Sequence, residues 1–252
     1  MTPQLEALRA SVARLHRIVE PLDDAQLEVQ AYPTEWRIAD VLSHLGSGAV
    51  IMKRRVTDGI AGEPLPDDFA PTVWDEWNAK SPRQQADDAL AADQALADLF
   101  GDVGEADRSS FSTSFGPLTV GFDDLIGLRL NEHTLHTWDI EVALDPAATL
   151  HPEQTALVID NLALLARFTA KPTGSLRTIA IRTTDPARDY FVELTADAVT
   201  FSPEPSEGQR RLVLPAESLI RLVYGRLDRD HTPAFEGDAD SLEELRQVFP
   251  GP

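Results

Sequence analysis

Glu132 and His136 stand four residues apart in a stretch of helical periodicity, so their side chains leave the helix one turn from each other and can converge on one ion. A carboxylate oxygen and a neutral imidazole nitrogen both ligate divalent cations, but two ligands do not close a site. His44 is the candidate third ligand, since its neighbours Val41, Leu45 and Ile51 put it on or beside the apolar surface of an earlier helical stretch. Two histidines and one carboxylate leave a coordination position for water or substrate, which suits catalytic zinc better than structural zinc; nickel, iron or manganese accept the same set. Arg129 and Asp139, one turn to either side, are candidates for orienting the ligands or touching a substrate.

These residues need an interior to work in, and the helical wheel provides one. At about 100 degrees per residue, Leu125, Arg129, Glu132, His136, Asp139 and Ala143 form a narrow stripe. Leu128, Leu135 and Val142 flank it on one side and Ile126, Ile140 and Leu144 on the other, while Gly127, Asn131, Thr134 and Glu141 fall opposite. A polar stripe that divides apolar residues must face inward and find partners there. The bland alternative is a hydrogen-bonded core histidine at His44 and an intrahelical pair of Glu132 with His136. His133 falls outside the stripe, and His16, His151 and His231 read as surface or loop histidines.

The elements that would position the stripe follow from periodicity. Residues 4–19 repeat Leu5, Leu8, Val12, Leu15 and Val19 as a first amphipathic helix. A second is expected from an N-cap at Thr34 to about residue 58, with Glu35 at the positive end of its dipole. Pro64, Pro66 and Pro71 make 59–82 a long crossover, 83–100 a third helix, 101–116 loop or short strand, and 120–144 a fourth helix. Four helices with one long connection predict a bundle. After a boundary at about 146–150, a helix at 152–169, β-rich segments at 177–182, 189–194, 199–201 and 211–214, and helices at 216–224 and 240–248 predict an α+β domain. The expected division is 1–148 and 149–252.

Composition narrows the partners. Twenty-two basic against 42 acidic residues give a formal charge of -20, which repels nucleic-acid phosphates and anionic lipid heads. No run approaches the roughly 18 apolar residues of a membrane span, and the first residues carry no secretory pattern, so a cytoplasmic protein is expected. With no cysteine in the chain, any thiol chemistry must use a thiol brought from outside. Oligomeric state is open between a monomer and a small homo-oligomer.

The runs Trp36-Arg37-Ile38-Ala39-Asp40-Val41-Leu42-Ser43-His44-Leu45 and Arg129-Leu130-Asn131-Glu132-His133-Thr134-Leu135-His136-Thr137-Trp138-Asp139-Ile140 resemble the mycothiol-dependent maleylpyruvate isomerase family. Gly225-Arg226-Leu227, Phe235-Glu236-Gly237-Asp238 and Phe249-Pro250-Gly251 are similar to short motifs of that family's C-terminal domain. The resemblance implies a DinB-like metal-binding four-helix bundle followed by a small sterol-carrier-like α+β domain. It implies zinc, or another divalent metal, on His44, Glu132 and His136, with mycothiol as co-substrate. Arg55, three turns beyond His44 on the same face, could hold an anionic group at the cavity mouth or be a solvated arginine. The expected chemistry is activation of the mycothiol thiol for attack on a small electrophile, as an isomerase or S-transferase. The alternatives are a zinc hydrolase that activates water and a non-catalytic thiol- or ligand-binding protein.

Overall fold

The computed structural model describes residues 2–116, 118–202 and 210–251. The chain forms two compact units, residues 1–148 and 149–252. The first holds α1 (Pro3–Val19), α2 (Asp24–Leu27), α3 (Ile38–Ala61), α4 (Phe69–Asn78), α5 (Pro82–Asp102), α6 (Glu105–Ser110), a hairpin of β1 (Thr113–Phe115) and β2 (Leu118–Val120), and α7 (Phe122–Leu144). The four long helices close a ring in which α1 packs on α5, α5 on α3, α3 on α7 and α7 on α1. The apolar repeat of α1 (Leu5, Leu8, Val12, Leu15, Val19) is buried throughout, as its spacing requires.

Local chemistry sets the ends of the helices that matter for the site. Ser81 caps α5 and exchanges hydrogen bonds with Gln84, while Pro82 occupies the first turn, where its missing N–H costs nothing. The start of α3 differs from expectation: Thr34 is not its cap, and the helix begins at Ile38. Residues 29–38 instead fold back in a tight loop, in which Ala31 N–H donates to the Trp36 carbonyl and Ile38 N–H to that of Val29. Asp40 then accepts from the Arg37 amide at 2.9 Å and from its guanidinium, completing the cap from inside the helix. Arg37 holds the Asp40 carboxyl below its usual range by these hydrogen bonds, against the opposing effect of burial.

The proline-rich crossover contains a helix that sequence patterning does not reveal. Pro71 lies in the first turn of α4, where proline is tolerated, so the residue that reads as a breaker sits near a start. Buried Trp77 on α4 lies against Gly46 of α3, where a Cβ would come within 2.2 Å of the indole and 2.9 Å of the Ala89 Cα. The absence of a side chain at Gly46 thus allows α4 and α5 to approach α3 beside His44. The stretch 101–116 likewise contains α6 and one hairpin strand.

In the second unit, the expected helix at 152–169 is broken into α8 (Pro152–Val158), a 3-10 turn (Ile159–Asn161) and α9 (Leu162–Thr169). A five-stranded mixed sheet follows, built from β3 (Arg177–Thr184), β4 (Asp189–Leu194), β5 (Val199–Ser202), β6 (Arg210–Pro215) and β7 (Glu236–Gly237), with α10 (Ala216–Val223) and α11 (Ala239–Val248). The strand order is β5-β4-β3-β6-β7, with β3 and β6 parallel and the other pairs antiparallel. The helical first unit and mixed-sheet second unit make the α+β class expected. Two of the C-terminal glycine motifs meet: Gly225 has φ +69° and Gly251 φ +81°, and a Cβ on Gly225 would fall 2.2 Å from the Gly251 Cα. Among the described residues no helix is long and apolar enough to cross a membrane.

Candidate metal centre

His44 on α3 and Glu132 and His136 on α7 come together in the first unit. One ligand atom from each lies within 4.8 Å of the other two. His44 Nε2 is 3.2 Å and His136 Nε2 3.6 Å from the same oxygen, Glu132 Oε2. Ligands about 2.05 Å from a tetrahedral cation stand about 3.3 Å apart, so these spacings suit a shared zinc-sized ion. The side chain of His136 is 11% exposed, whereas His44 and Glu132 are 39% and 44% exposed. One side of the cluster is therefore embedded in the bundle and the other opens to solvent, as a site that admits a further ligand requires.

The surroundings fix the ligands in the states that bind metal. Asp139, fully buried, accepts from His136 Nδ1 at 2.8 Å, which makes Nδ1 the protonated nitrogen and leaves the Nε2 lone pair toward Glu132. Burial, with His136 nearby, lowers the His44 pKa despite the opposing pull of Glu132, and so favours the neutral imidazole. Burial works to raise Glu132, but the interactions of His136 and His44 with its carboxylate outweigh it and hold the carboxyl well below its ordinary value. A neutral imidazole and an ionised carboxylate are the donors a divalent cation needs. Asp139→Asn keeps the shape but weakens this orientation. Its zinc affinity, read by chelator competition, is expected to fall about 10- to 100-fold.

Trp36 forms a wall of the site. Its ring lies 5.2 Å from that of His44 and stacks on His136 at 5.9 Å, while the two imidazoles meet edge-on at 4.5 Å. The loop that carries it is tied to α7 by the Tyr32 amide, which donates to the Asp139 carbonyl. The tryptophan of the sequence motif thus packs directly on two of the three candidate ligands.

Arg129 and Arg55 are placed differently. Arg129 is buried one turn before Glu132, donates to the Leu45 carbonyl at 2.8 Å and makes a close ion pair with Asp93 of α5. Arg55 lies eleven residues beyond His44 on α3, about 16 Å along the helix, and donates to the Ser114 carbonyl. The structure therefore does not bring Arg55 up to the three ligands.

Two residues without an assigned role from the wheel belong to the interior beside the site. Asp93 and His133 lie 3.4 Å apart, Oδ2 to Nε2, and His133 Nδ1 meets Ser11 Oγ at 2.8 Å and Thr137 Oγ1 at 3.2 Å. Serine, histidine and aspartate in this order evoke nucleophilic catalysis, but all three are buried in the bundle, out of reach of a substrate. Asp93 was legible in principle: it interrupts the stripe Ala86, Ala89, Leu90, Leu96, Ala97 and Phe100 at core spacing, where a carboxylate requires a buried partner. The face of α7 opposite the polar stripe is not a solvent face either. Gly127, Asn131 and Thr134 are buried, because α1 covers α7 on the side away from α3.

The family described as the mycothiol maleylpyruvate isomerase N-terminal domain matches residues 8–141, which include all three clustered ligands. A crystal structure titled as the mycothiol-dependent maleylpyruvate isomerase is similar over 90% of this chain and 90% of its own, with a TM-score of 0.67 and 13% identity. A histidine-to-alanine mutant of that isomerase matches with the same score and coverage at 12% identity. These similarities establish the fold. No curated protein matches the sequence. With more than half of its length matched to one family, and with the corresponding α+β fold, the chain belongs to the mycothiol maleylpyruvate isomerase family.

Proposed function

We propose that this protein is a metal-dependent enzyme that activates the thiol of mycothiol for attack on a small electrophile, as an isomerase or an S-transferase. The observation that carries the proposal is the spacing of His44, Glu132 and His136, with one face of the cluster open to solvent. Zinc, or a similar divalent ion, when bound there would lower the pKa of a coordinated thiol from its free value of about 8.5 and make it nucleophilic at neutral pH.

The protein's own residues supply the rest. His44, Glu132 and His136 would hold the cation, and Asp139 keeps His136 in the tautomer that can bind. Trp36 covers one flank of the ligands, which limits water there and strengthens their electrostatic interactions. An attacking thiolate that adds to an activated carbon–carbon double bond leaves a single bond about which the substrate can rotate. Its departure restores the double bond with altered geometry and returns the thiol. With a substrate that carries a leaving group, the thioether is the product. The family membership supports mycothiol as the thiol, and the absence of cysteine from the chain means that no sulfur nucleophile comes from the protein itself.

The test is thiol dependence. Zinc-loaded protein is expected to convert maleylpyruvate or an arylating electrophile with mycothiol present, and to show no turnover when the thiol is omitted. Turnover of an ester or amide at the same rate with and without mycothiol would overturn the proposal in favour of a hydrolase.

A further inference from the structure

We infer that Asp93 and Arg129 are positioning residues that lock α7 against α3, so that Glu132 and His136 stay opposite His44; the inference rests on the metal reading of that cluster. Arg129 does two jobs with one guanidinium. It donates to the carbonyl of Leu45, the residue that follows His44 on α3, and it pairs with Asp93 on α5. Gly48 makes room for it, since a Cβ there would stand 3.1 Å from Arg129 Nη1. A single buried side chain thus ties three helices together within one turn of both ligand positions.

The second carboxylate oxygen of Asp93 faces His133, one turn beyond Arg129 on α7 and next in sequence to Glu132. His133 is in turn held by Ser11 of α1. Arg129 therefore shares the stripe of Glu132 and His136 and reaches α3 and α5 from it, while His133, about 100 degrees around α7 from Glu132, meets α5 and α1. Rotating α7 enough to separate Glu132 from His44 would pull Arg129 off both Asp93 and the Leu45 carbonyl, and these side chains are only 3% and 1% exposed. Breaking a buried charge pair in that setting leaves both charges without solvent to replace the partner. The ion pair thus resists a rotation of α7 that would open the metal cluster.

The experiment compares zinc affinity with folding stability in full-length protein. Asp93→Asn keeps volume and removes the charge, and the paired change Asp93→Leu with Arg129→Met removes both charges and leaves no buried ion uncompensated. Leu96→Ala, in the core one turn along α5, controls for general loosening. Zinc dissociation constants are read by chelator competition at a temperature where circular dichroism shows each variant folded. Wild type is expected to bind one zinc per chain, and both clamp variants to bind it about 10- to 100-fold more weakly, the scale seen for groups that orient ligands. Leu96→Ala should bind zinc like wild type. The decisive result is the double variant: its melting temperature is expected to stay above that of Asp93→Asn while its zinc affinity remains low, a split that a purely structural ion pair would not produce. Unchanged affinity in the folded double variant overturns the clamp alone. Wild-type protein that binds no zinc overturns the metal reading, and the clamp's role with it.

Discussion

Purified Glu132→Ala protein is expected to carry almost no metal and to lose thiol-dependent turnover, while its helical content is retained. Glu132 contributes the oxygen toward which both imidazoles point, at 3.2 and 3.6 Å, so its removal leaves two histidines with no anionic ligand between them. Groups that merely orient a ligand are worth about 10- to 100-fold in affinity, so loss of the ligand itself should exceed about 100-fold. The side chain is nearly half exposed, and truncation there buries no new polar group, so the fold should survive. His44→Ala should behave alike. His16→Ala, which alters a surface histidine paired with Glu20, should leave the metal content unchanged. Elemental analysis after exhaustive dialysis checks all three, and a Glu132→Ala protein that keeps a full equivalent of zinc would remove the basis of the proposed site.

The largest expected effect on stability lies elsewhere, at Asp93. Asp93→Ala leaves the Arg129 guanidinium buried without its carboxylate, and breaking one partner of a buried pair costs about 3–5 kcal/mol. Asp88→Ala, on the exposed side of the same helix and paired with Lys80 at the surface, should cost no more than about 1 kcal/mol. Urea denaturation at neutral pH measures both. The effect also has a pH signature. Burial tends to raise the Asp93 pKa, but the charges of Arg129 and His133 outweigh it and hold the carboxyl below its usual value. A carboxyl whose folded pKa is depressed contributes its full stabilisation above the unfolded value of about 3.9 and loses it as pH falls through the folded value. The gap between wild type and Asp93→Ala should therefore be constant near neutrality and narrow only in strong acid. A gap that closed between pH 7 and pH 5 would contradict this assignment of the charge.

Asp139 connects the two effects. It is fully buried like Asp93, but it spends its carboxylate on a ligand histidine rather than on a guanidinium. These two buried carboxylates thus have separate duties: one sets the tautomer of His136, and the other holds the helix on which His136 rides.

The α+β class, the four long helices and the shared helix face of Glu132 and His136 were readable from residue order alone, whereas the approach of His44 to that pair rests on the packing of α3 against α7. Helical periodicity is local: an i, i+4 pair on α7 faces one way whatever surrounds it, and an apolar repeat such as that of α1 has one buried face in any bundle. The wheel also placed Asp139 beside His136 correctly, since three residues of helix fix that neighbourhood. Where a proline or a short turn intervenes, local rules are weaker. Pro71 suggested an interruption and proved to sit in the first turn of α4, and Thr34 resembled a cap where the chain instead folds back to bring Trp36 onto the imidazoles.

Tertiary structure alone decided which helix faces meet. Nothing local relates Asp93 to Arg129, 36 residues away, or Arg129 to the Leu45 carbonyl, 84 residues away. Nor could periodicity tell that α7 is covered on both sides, which turns His133, Asn131 and Thr134 into interior groups. Sequence determined which side chains share a face, because backbone geometry repeats every turn. Only the packed bundle determined which faces share an interior, because that choice depends on the burial of whole helices against one another and on pairing the few charges trapped between them.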